Sequence, residues 1–397
     1  MHDSGRILRG AAEVIAAVNS GAGVLDEQME KVDPRYRRSV GHLVFTYYRR
    51  RKAIDALLKR YIERPPIPAI MALLQSVVTQ IFFQRALAAE SAVNIAVSEA
   101  KKKKSDKFVN AVLRRIMREG ATFSDTPESV LPEPFLMRWK DRAELEQLCS
   151  AFLHGAGFTF RLEYDWELEG LSCEAVESPA FRFFSGNAAE ILSSDPFKAH
   201  HIYIQDPATS LPFQGLDLSF ASRALDICAA PGGKTLMLAE LMPERSLIIA
   251  ADRSRNRQKL TRINLEKRNI NAQVIVAIPE EIAGSYDVVL ADVPCSNTGV
   301  FRRRPDALWN FSVSKMKELI EIQAGILESG ARLTAAGGLL IYSTCSIEDD
   351  ENRSQVEAFL EKHPEFTLVS MKQLIPDECT DGAFAAVMRK RKQDGFL

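Results

Sequence analysis

The stretch Ala224-Leu-Asp-Ile-Cys-Ala-Ala-Pro-Gly-Gly-Lys-Thr235 decides the fold of the second half of the chain. A short apolar run is followed by a turn with two adjacent glycines and then by the helical pattern Thr235–Leu241, as expected for a buried strand that turns into a helix. Four further apolar runs alternate with helical patterns: Leu247–Ala251, Gln273–Val276, Val288–Ala291 and Gly338–Tyr342. Strands that alternate with helices predict a parallel sheet covered by helices on both faces.

Ligands of such sheets bind at the carboxyl ends of the strands, so we expect the loops after the first, second, fourth and fifth runs to carry the chemistry. The first of these loops offers an acidic residue, two glycines and a lysine. Its candidate cofactor-binding residues are Asp226, Cys228, Ala229, Ala230, Pro231, Gly232, Gly233 and Lys234. A phosphate-binding P-loop is excluded, because it needs a glycine six residues before the lysine and position 228 is cysteine.

The acidic residues of the first two loops favour a nucleoside with an amino-acid tail. We expect Asp226 to bind the ammonium group of the tail. Asp252 lies 20 residues beyond Gly232, at the end of the second strand, where a carboxylate can accept hydrogen bonds from ribose hydroxyls. S-adenosylmethionine has both features and is the predicted cofactor. The alternative is a glycine turn that serves only the fold.

Two cysteines follow the fourth and fifth strands of this series, in Asp292-Val-Pro-Cys295-Ser and Ser343-Thr-Cys345-Ser. Strand ends of one sheet bring them to one cleft. A thiolate that attacks carbon 6 of a pyrimidine turns carbon 5 into a nucleophile that can accept a methyl group. Asp292 would then bond the pyrimidine edge near nitrogen 3. From spacing alone, either thiol could be the one that attacks.

Residues 1–120 predict a different domain, made of helices alone. Apolar residues recur at helical spacing from Ile7 to Ile116, and no strand-like alternation occurs. This part of the chain holds 22 Lys+Arg against 12 Asp+Glu, whereas all 397 residues hold 51 and 52. The basic excess indicates a polyanionic partner, most simply nucleic acid, and a solvated helix surface is the alternative.

Two groups of basic residues are the predicted contacts with nucleic acid. They are Lys101, Lys102, Lys103 and Lys104 in the helical domain, and Arg302 and Arg303 after the first cysteine motif. Together with Arg304, the two arginines are also close enough in sequence to Cys295 to lower the pKa of its thiol.

The middle of the chain predicts a small connecting domain. A proline-containing stretch over 126–134 marks a boundary. Beyond it come aromatic, extended-looking pieces at Phe158–Leu162 and Phe181–Phe184, and an acidic patch from Glu163 to Glu177. The predicted organisation is therefore an all-α domain over 1–120, an α+β connecting domain over 121–205 and an α/β domain over 206–397.

Cysteine usage and hydropathy exclude several classes of protein. The six cysteines form no CxxC pair or short Cys/His cluster, so no metal site is predicted. No apolar run reaches the roughly 18 residues that a membrane-spanning helix needs. We therefore expect a cytoplasmic monomer with reduced cysteines, without metal or membrane.

These motifs together resemble the Sun family of RNA (cytosine-5) methyltransferases. The resemblance rests on the runs DICAAPGGKT, ADRSRNR, DVPCSNTGVFRRRPDALW and YSTCS, and on Gln205–Thr209 and Asp381–Phe384. The helical domain, with SVGHLVFTYYRRRKAID and KFVNAVLRRI, resembles the NusB-like RNA-binding domain of the bacterial 16S ribosomal RNA branch.

The resemblance implies a NusB-like domain, a connecting domain and a Rossmann-like class I methyltransferase domain. The implied reaction transfers a methyl group from S-adenosylmethionine to carbon 5 of a cytosine in 16S ribosomal RNA. Cys345 would be the nucleophile, and Cys295 would assist release of the methylated RNA. The other implied contacts of the cofactor or the base are Lys234, Asp252, Arg257 and Asp292.

Two positions depart from the family pattern. The family usually has an aspartate for the adenine after the third strand, but this chain has Val276-Ala-Ile-Pro-Glu-Glu281, so Glu280 or Glu281 would have to substitute. The expected Arg-x-Asn of the connecting domain is Arg161-Leu-Glu163. Two alternatives therefore stay open: the same reaction on transfer RNA, and a NusB-like RNA-binding or antitermination factor without catalysis.

Overall fold

The computed structural model describes residues 2–163, 166–168 and 170–392. Contacts divide the chain into two compact units. The first combines the residues up to Leu153 with Arg303–Asn310, and the second combines His154–Arg302 with the residues from Phe311 onward. Each unit has a hydrophobic core of its own.

The first unit is helical, as the sequence predicts. Its helices are α1 (His2–Asn19), α2 (Leu25–Glu30), α3 (Pro34–Tyr61), α4 (Pro68–Thr79), α5 (Ala89–Lys101), α6 (Asp106–Glu119), α7 (Pro127–Val130), α8 (Glu133–Trp139) and α9 (Leu145–His154). Proline begins α3 and α4, at the position where its missing N–H costs no helical hydrogen bond. A π-helical turn, Gln80–Gln84, continues α4 and ends at Arg85. The apolar faces of α1 to α6 share one core.

Helices α7 to α9 extend the first unit beyond residue 120, where the sequence predicted the all-α domain to end. The prolines that suggested a boundary lie instead in the first turns of α7 and α8. Side chains of α3 contact this segment: Lys52 donates a hydrogen bond to the Leu131 carbonyl (3.1 Å), and Arg50 pairs with Asp125. Judged by residue contacts, the first unit ends at Leu153 and the second begins at His154. The three domains over 1–120, 121–205 and 206–397 remain a prediction.

The second unit begins with a small antiparallel sheet. Its elements are β1 (Thr159–Leu162), β2 (Cys173–Val176), β3 (Arg182–Gly186), α10 (Ala188–Ser193), α11 (Asp195–Lys198) and β4 (Ile202–Ile204). The strand order is β2-β3-β1-β4, and the two extended pieces predicted from the sequence become β1 and β3. Arg161 is only 1% exposed and pairs with Glu240, so this arginine is not on the protein surface. The predicted acidic patch lies partly outside the described residues.

A seven-stranded sheet forms the body of the second unit. Its strands are β5 (Arg223–Asp226), β6 (Leu247–Asp252), β7 (Ala272–Val276), β8 (Tyr286–Asp292), β9 (Thr334–Thr344), β10 (Phe366–Leu374) and β11 (Ala383–Lys390). The helices after β5 are α12 (Gly233–Leu241), α13 (Arg255–Glu266), α14 (Ala307–Asn310), α15 (Val313–Leu333) and α16 (Arg353–Lys362), of which α14 belongs to the first unit. The strand order is β10-β11-β9-β8-β5-β6-β7. Strands β5, β6 and β7 follow one another to one side, and β8 and β9 follow one another to the other, so the topological switch point lies between β5 and β8.

The five strands predicted from the sequence pair in parallel, and two further strands that were not predicted form an antiparallel edge. Strands β5 to β9 pair in parallel, but β11 is antiparallel to β9, and β10 is antiparallel to β11. These two strands carry weak sequence signals: β10 is largely exposed along its length, and β11 begins Ala-Phe-Ala-Ala, although alanine has low strand propensity. The sheet is therefore mixed, with a parallel centre and an antiparallel edge.

Residues 303–310 leave the second unit and pack in the first. The indole Nε1 of Trp309 donates a hydrogen bond to the Tyr48 carbonyl (2.8 Å), and the Arg51 guanidinium lies 4.7 Å from the centre of the indole ring. Arg304 pairs with Asp26 at 2.5 Å. Tyr48 is fully buried, so the indole closes one side of the helical core. The first unit is therefore built from two separate segments of chain.

Across the part of the chain that the structure describes, every helix is too short or too polar to cross a membrane.

We expect Trp309→Ala to loosen the first unit, because it removes one hydrogen bond, a cation–π contact and part of the core. A loss of about 2 kcal/mol would speed hydrogen exchange in α3 by at least about tenfold. Hydrogen–deuterium exchange measured by mass spectrometry checks this result. The control is Trp166→Ala, at an exposed tryptophan of the second unit; equal exchange in the two variants would contradict the role given to Trp309.

Candidate active site

The first loop of the site follows β5, and hydrogen bonds from two side chains of α13 hold its backbone in place. Gly232 has φ +101°, a conformation that favours glycine, and directly precedes α12. A Cβ on Gly233 would lie 2.9 Å from the side-chain amide nitrogen of Gln205, so the backbone of the turn approaches the Gln205 side chain closely. Arg257 donates to the Ala230 carbonyl (2.5 Å), and Asn264 donates to the Pro231 carbonyl (2.9 Å). The turn is thus fixed before any ligand binds.

Asp226 is the last residue of β5, and its carboxyl group is fully buried. Within the part of the chain that the structure describes, only one of the two carboxyl oxygens accepts a hydrogen bond. Oδ2 accepts a hydrogen bond from the Thr235 hydroxyl (2.7 Å), whereas Oδ1 has no hydrogen-bond partner among the described residues. Burial raises the pKa of Asp226 to about 7, with a further increase from the nearby Asp292 charge. An unpaired, buried carboxyl oxygen is suited to a cationic ligand group.

The carboxylates that end β6 and β8 are both held in place. Asp252 accepts from the Ser254 amide (2.8 Å) and lies 3.5 Å from an Arg257 nitrogen. Asp292 pairs with Lys234 (2.7 Å) and accepts from the Ser343 hydroxyl (2.7 Å). Burial lowers the pKa of Lys234, but the charge and hydrogen bond of Asp292 outweigh it, so the pKa is raised and the ammonium is retained.

The two predicted cysteines meet. Their sulfur atoms are 3.3 Å apart, and Cys295 is 7% exposed while Cys345 is half-buried. The Cys345 thiol donates to the Asn297 side-chain oxygen (3.0 Å), and the Asn297 amide donates to the Cys295 carbonyl (3.1 Å). The hydrogen bond with Cys345 and burial raise the pKa of Cys295 well above its ordinary value. The structure therefore brings the two cysteines into direct contact.

The arginines after Cys295 do not behave as predicted. Arg302 is 1% exposed, donates to the Glu378 carbonyl (2.5 Å) and lies 3.7 Å from Asp381, so the prediction that it contacts RNA is wrong. Its charge is used inside the fold, beside the buried acid. The arginines were also expected to lower the pKa of Cys295; the hydrogen bond with Cys345 and burial instead raise this pKa. Arg303 is half-buried in the first unit and stays a predicted contact.

Motifs that are distant in sequence contact one another and the loops that carry Cys295 and Cys345. Asp206 accepts from the Asp381 amide (3.1 Å), which joins the Gln205–Thr209 stretch to the C-terminal motif. Gly382 donates to the Gly299 carbonyl (2.8 Å), and the Gly299 amide donates to the Cys345 carbonyl (2.9 Å). A Cβ on Gly299 would lie 2.7 Å from that carbonyl oxygen, so only glycine fits there.

Several polar residues of the site had not been singled out from the sequence. They are Asn297, Gln323, Glu351 and Asn352, and the last three are buried. Glu351 belongs to the acidic run Glu348–Glu351, and four consecutive acidic residues are typical of an exposed surface. Two of the four, Glu348 and Glu351, are nevertheless buried. The signal that could have found it is position: it lies six residues beyond Cys345, just before a helix.

The remaining predicted residues lie apart from the cysteine pair or on the surface. Glu280 and Glu281 are exposed in a short 3₁₀ turn after β7, and Glu281 accepts from the Ile278 amide (3.3 Å). Lys101–Lys104 are exposed at the end of α5, where Lys102 pairs with Glu99 (3.1 Å). A search of the described residues finds no group of three or more His, Cys, Asp or Glu side chains that could hold a metal ion.

Comparison with known proteins shows which family the chain resembles. The family model for 16S rRNA methyltransferase RsmB/F matches residues 214–397, and that of the NusB family matches residues 10–118. The ribosomal RNA small subunit methyltransferase B of Pseudomonas syringae pv. tomato is 31% identical over 383 residues, which cover 88% of this chain and 85% of the relative. The corresponding protein of Xanthomonas campestris pv. campestris is 32% identical over 384 residues, covering 89% and 87%.

The crystal structure of PH0851 superimposes with a TM-score of 0.80 at 24% identity, covering 97% of this chain and 99% of that one, which supports the same fold. A helical NusB domain joined to a Rossmann-like domain with this cleft defines an RNA methyltransferase. The chain belongs to the RsmB/F family of 16S rRNA methyltransferases.

We expect Asn297→Asp to slow alkylation of Cys345. The new carboxylate would lie where an amide oxygen now accepts from the thiol, and its charge would raise the thiol pKa. Labelling by iodoacetamide at pH 7.5 should be at least about threefold slower, as measured by peptide mass spectrometry. Asn297→Gly is the matched control, because glycine tolerates the local φ of +60° and adds no charge. If both variants label alike, the contact does not control the thiol.

Proposed function

We propose that this protein transfers the methyl group of S-adenosylmethionine to carbon 5 of a cytosine in 16S ribosomal RNA, through a covalent bond between Cys345 and carbon 6. The observation that carries the proposal is the pair of thiols 3.3 Å apart at the ends of β8 and β9, beside the Asp226 loop. The names of the relatives favour ribosomal RNA over transfer RNA as the substrate.

The residues of the cleft fit S-adenosylmethionine. The open Oδ1 of Asp226 suits the ammonium of the amino-acid tail, and Asp252 at the end of β6 suits the ribose hydroxyls. The pinned turn around Gly232 and Gly233 lets a ligand approach the backbone, and Arg257 holds that turn against Asp252. Glu280 or Glu281 would face the adenine in place of the usual aspartate. When bound, the cofactor supplies an electrophilic methyl group.

Burial supports different roles for the two thiols. Cys345 is the more exposed and would attack carbon 6 as a thiolate, after its proton has left. Carbon 5 then carries the electron density needed to accept the methyl group, and Asp292, held by Lys234, would bond the pyrimidine edge. Release requires loss of the proton on carbon 5 and cleavage of the bond between sulfur and carbon 6. Cys295, adjacent to Cys345, is the residue proposed to assist it.

The cytosine must be unpaired or flipped out, because stacking covers the ring face that a thiolate attacks. We propose that the exposed Lys101–Lys104 run and Arg303 contribute phosphate contacts. The substrate class implies action in the cytoplasm, and the protein is proposed to act as a monomer without metal. A non-catalytic factor has little support, because an acidic loop and a thiol pair would have no role in it.

Two cysteine variants test the proposed adduct. Cys345→Ala should reduce methyl transfer to 16S RNA by at least about a thousandfold, because no group can attack carbon 6. Cys295→Ala should still attack but accumulate a covalent protein–RNA complex, visible as a shifted band on a denaturing gel. Cys379→Ala, at an exposed cysteine outside the cleft, is the control. Activity retained by Cys345→Ala, or normal turnover by Cys295→Ala, would overturn the roles.

The state of Asp226 predicts how cofactor affinity changes with pH. The carboxyl group, with a pKa of about 7, must be ionised to bind an ammonium group. Affinity for S-adenosylmethionine should therefore fall as pH decreases below 7, approaching tenfold per pH unit. Calorimetric titration between pH 5.5 and 7 measures this dependence. Asp226→Asn should bind weakly and lose the slope; a slope that persists in the variant assigns it to another group.

A further inference from the structure

Glu351 lies between the two cysteine loops and is completely buried. Oε1 accepts hydrogen bonds from the Ser296 amide (2.8 Å) and from the Gln323 side chain (2.9 Å). Oε2 accepts from the hydroxyl of Ser346 (2.6 Å) and from that of Ser296. The main-chain carbonyl of the same residue accepts from the Tyr342 hydroxyl (2.6 Å). This carboxylate therefore has a full set of donors without access to water.

The donors come from both catalytic loops. Ser296 directly follows Cys295, and Ser346 directly follows Cys345, so one carboxylate joins the residues next to the two sulfurs. Hydrogen bonds to a buried charge are stronger than those between neutral groups, and a buried charge that loses donors is costly. Movement of either loop away from the other would strip donors from Glu351. The spacing of the sulfurs is thus tied to this side chain.

The charges around the thiols are unequal. The hydrogen bond with Cys345 and burial raise the pKa of the Cys295 thiol most, and the charges of Cys345 and Glu351 raise it further. The Asn297 backbone acts in the opposite direction on that thiol, but it is outweighed. On the other side, the Lys234 ammonium interacts with Cys345. Negative charge is therefore placed beside one sulfur, and positive charge near the other.

We propose that Glu351 is a positioning residue that fixes the spacing of the two sulfurs and disfavours the thiolate of Cys295, so that Cys345 is the thiol that attacks. The inference rests on the proposed function for the meaning of these roles. Its physical part concerns the loops and the Cys295 proton alone, and it can be tested without any RNA.

The first experiment titrates the Cys295 thiol. In a Cys345→Ser background, iodoacetamide labelling of Cys295 is followed by peptide mass spectrometry from pH 7 to 11. Adding Glu351→Gln should move the midpoint at least about half a pH unit lower, because a negative charge has been removed. Asp350→Asn, which neutralises an exposed acid of the same run, should leave it in place. A midpoint that does not fall with Glu351→Gln overturns the proposal.

The second experiment measures methyl transfer by the full chain. Glu351→Gln should lower kcat at least about tenfold and leave the KM for S-adenosylmethionine and RNA within about twofold, whereas Asp350→Asn keeps the wild-type kcat. If circular dichroism shows that Glu351→Gln is unfolded, Ser296→Ala replaces it in this experiment, because it removes one donor from the carboxylate, and kcat should again fall. A wild-type kcat in a folded variant overturns the proposal. If the wild-type protein itself fails to methylate RNA, the proposed function fails, and the thiol titration still decides the role of Glu351.

Discussion

The parallel register of β8 against β9 is the constraint on which the site depends. Asp292 pairs with Ser343 across the two strands, so the loops that follow begin side by side. Cys295 lies three residues beyond Asp292, and Cys345 lies two residues beyond Ser343. Despite this difference in loop length, the two sulfurs are 3.3 Å apart. A slip of one residue would turn every side chain of a strand to the opposite face and separate the thiols. Gly338 permits this register, because a Cβ there would lie 2.8 Å from the Asp287 carbonyl.

Buried polar groups give the cleft its shape. The buried carboxyl groups of Glu351 and Asp381 have several donors or a cation close by, and the half-buried Asp292 pairs with Lys234. Such networks are rigid when they are satisfied. Asp226 differs, because half of its carboxyl group has no partner among the described residues. The exception lies on the loop proposed to hold the cofactor, where a missing partner can be supplied by a ligand. The thiols follow β8 and β9, the two strands next to β5 in the sheet.

Short-range patterns predicted most of this structure. The five parallel strands and their helices follow from apolar runs and glycine turns, and the α-helical first unit follows from 3.6-residue periodicity. The pairing of Cys295 with Cys345 could be expected from strand topology. Burial was harder to predict: Arg302 and Glu351 look like surface residues, yet each is enclosed by groups far away in sequence. The exposed β10 and the alanine-rich β11 form an edge with too little side-chain pattern to identify as strands.

The segment at residues 303–310 has a consequence for how the protein is made. The helices before Leu153 emerge from the ribosome first, but the indole that closes their core is encoded more than 150 residues later. At about 5–20 residues per second, the gap amounts to roughly 10–30 s. During this time the N-terminal helices must persist with an open side, while β1 to β8 are still being added. Completion of the first unit is thus delayed until most strands of the large sheet have been synthesised.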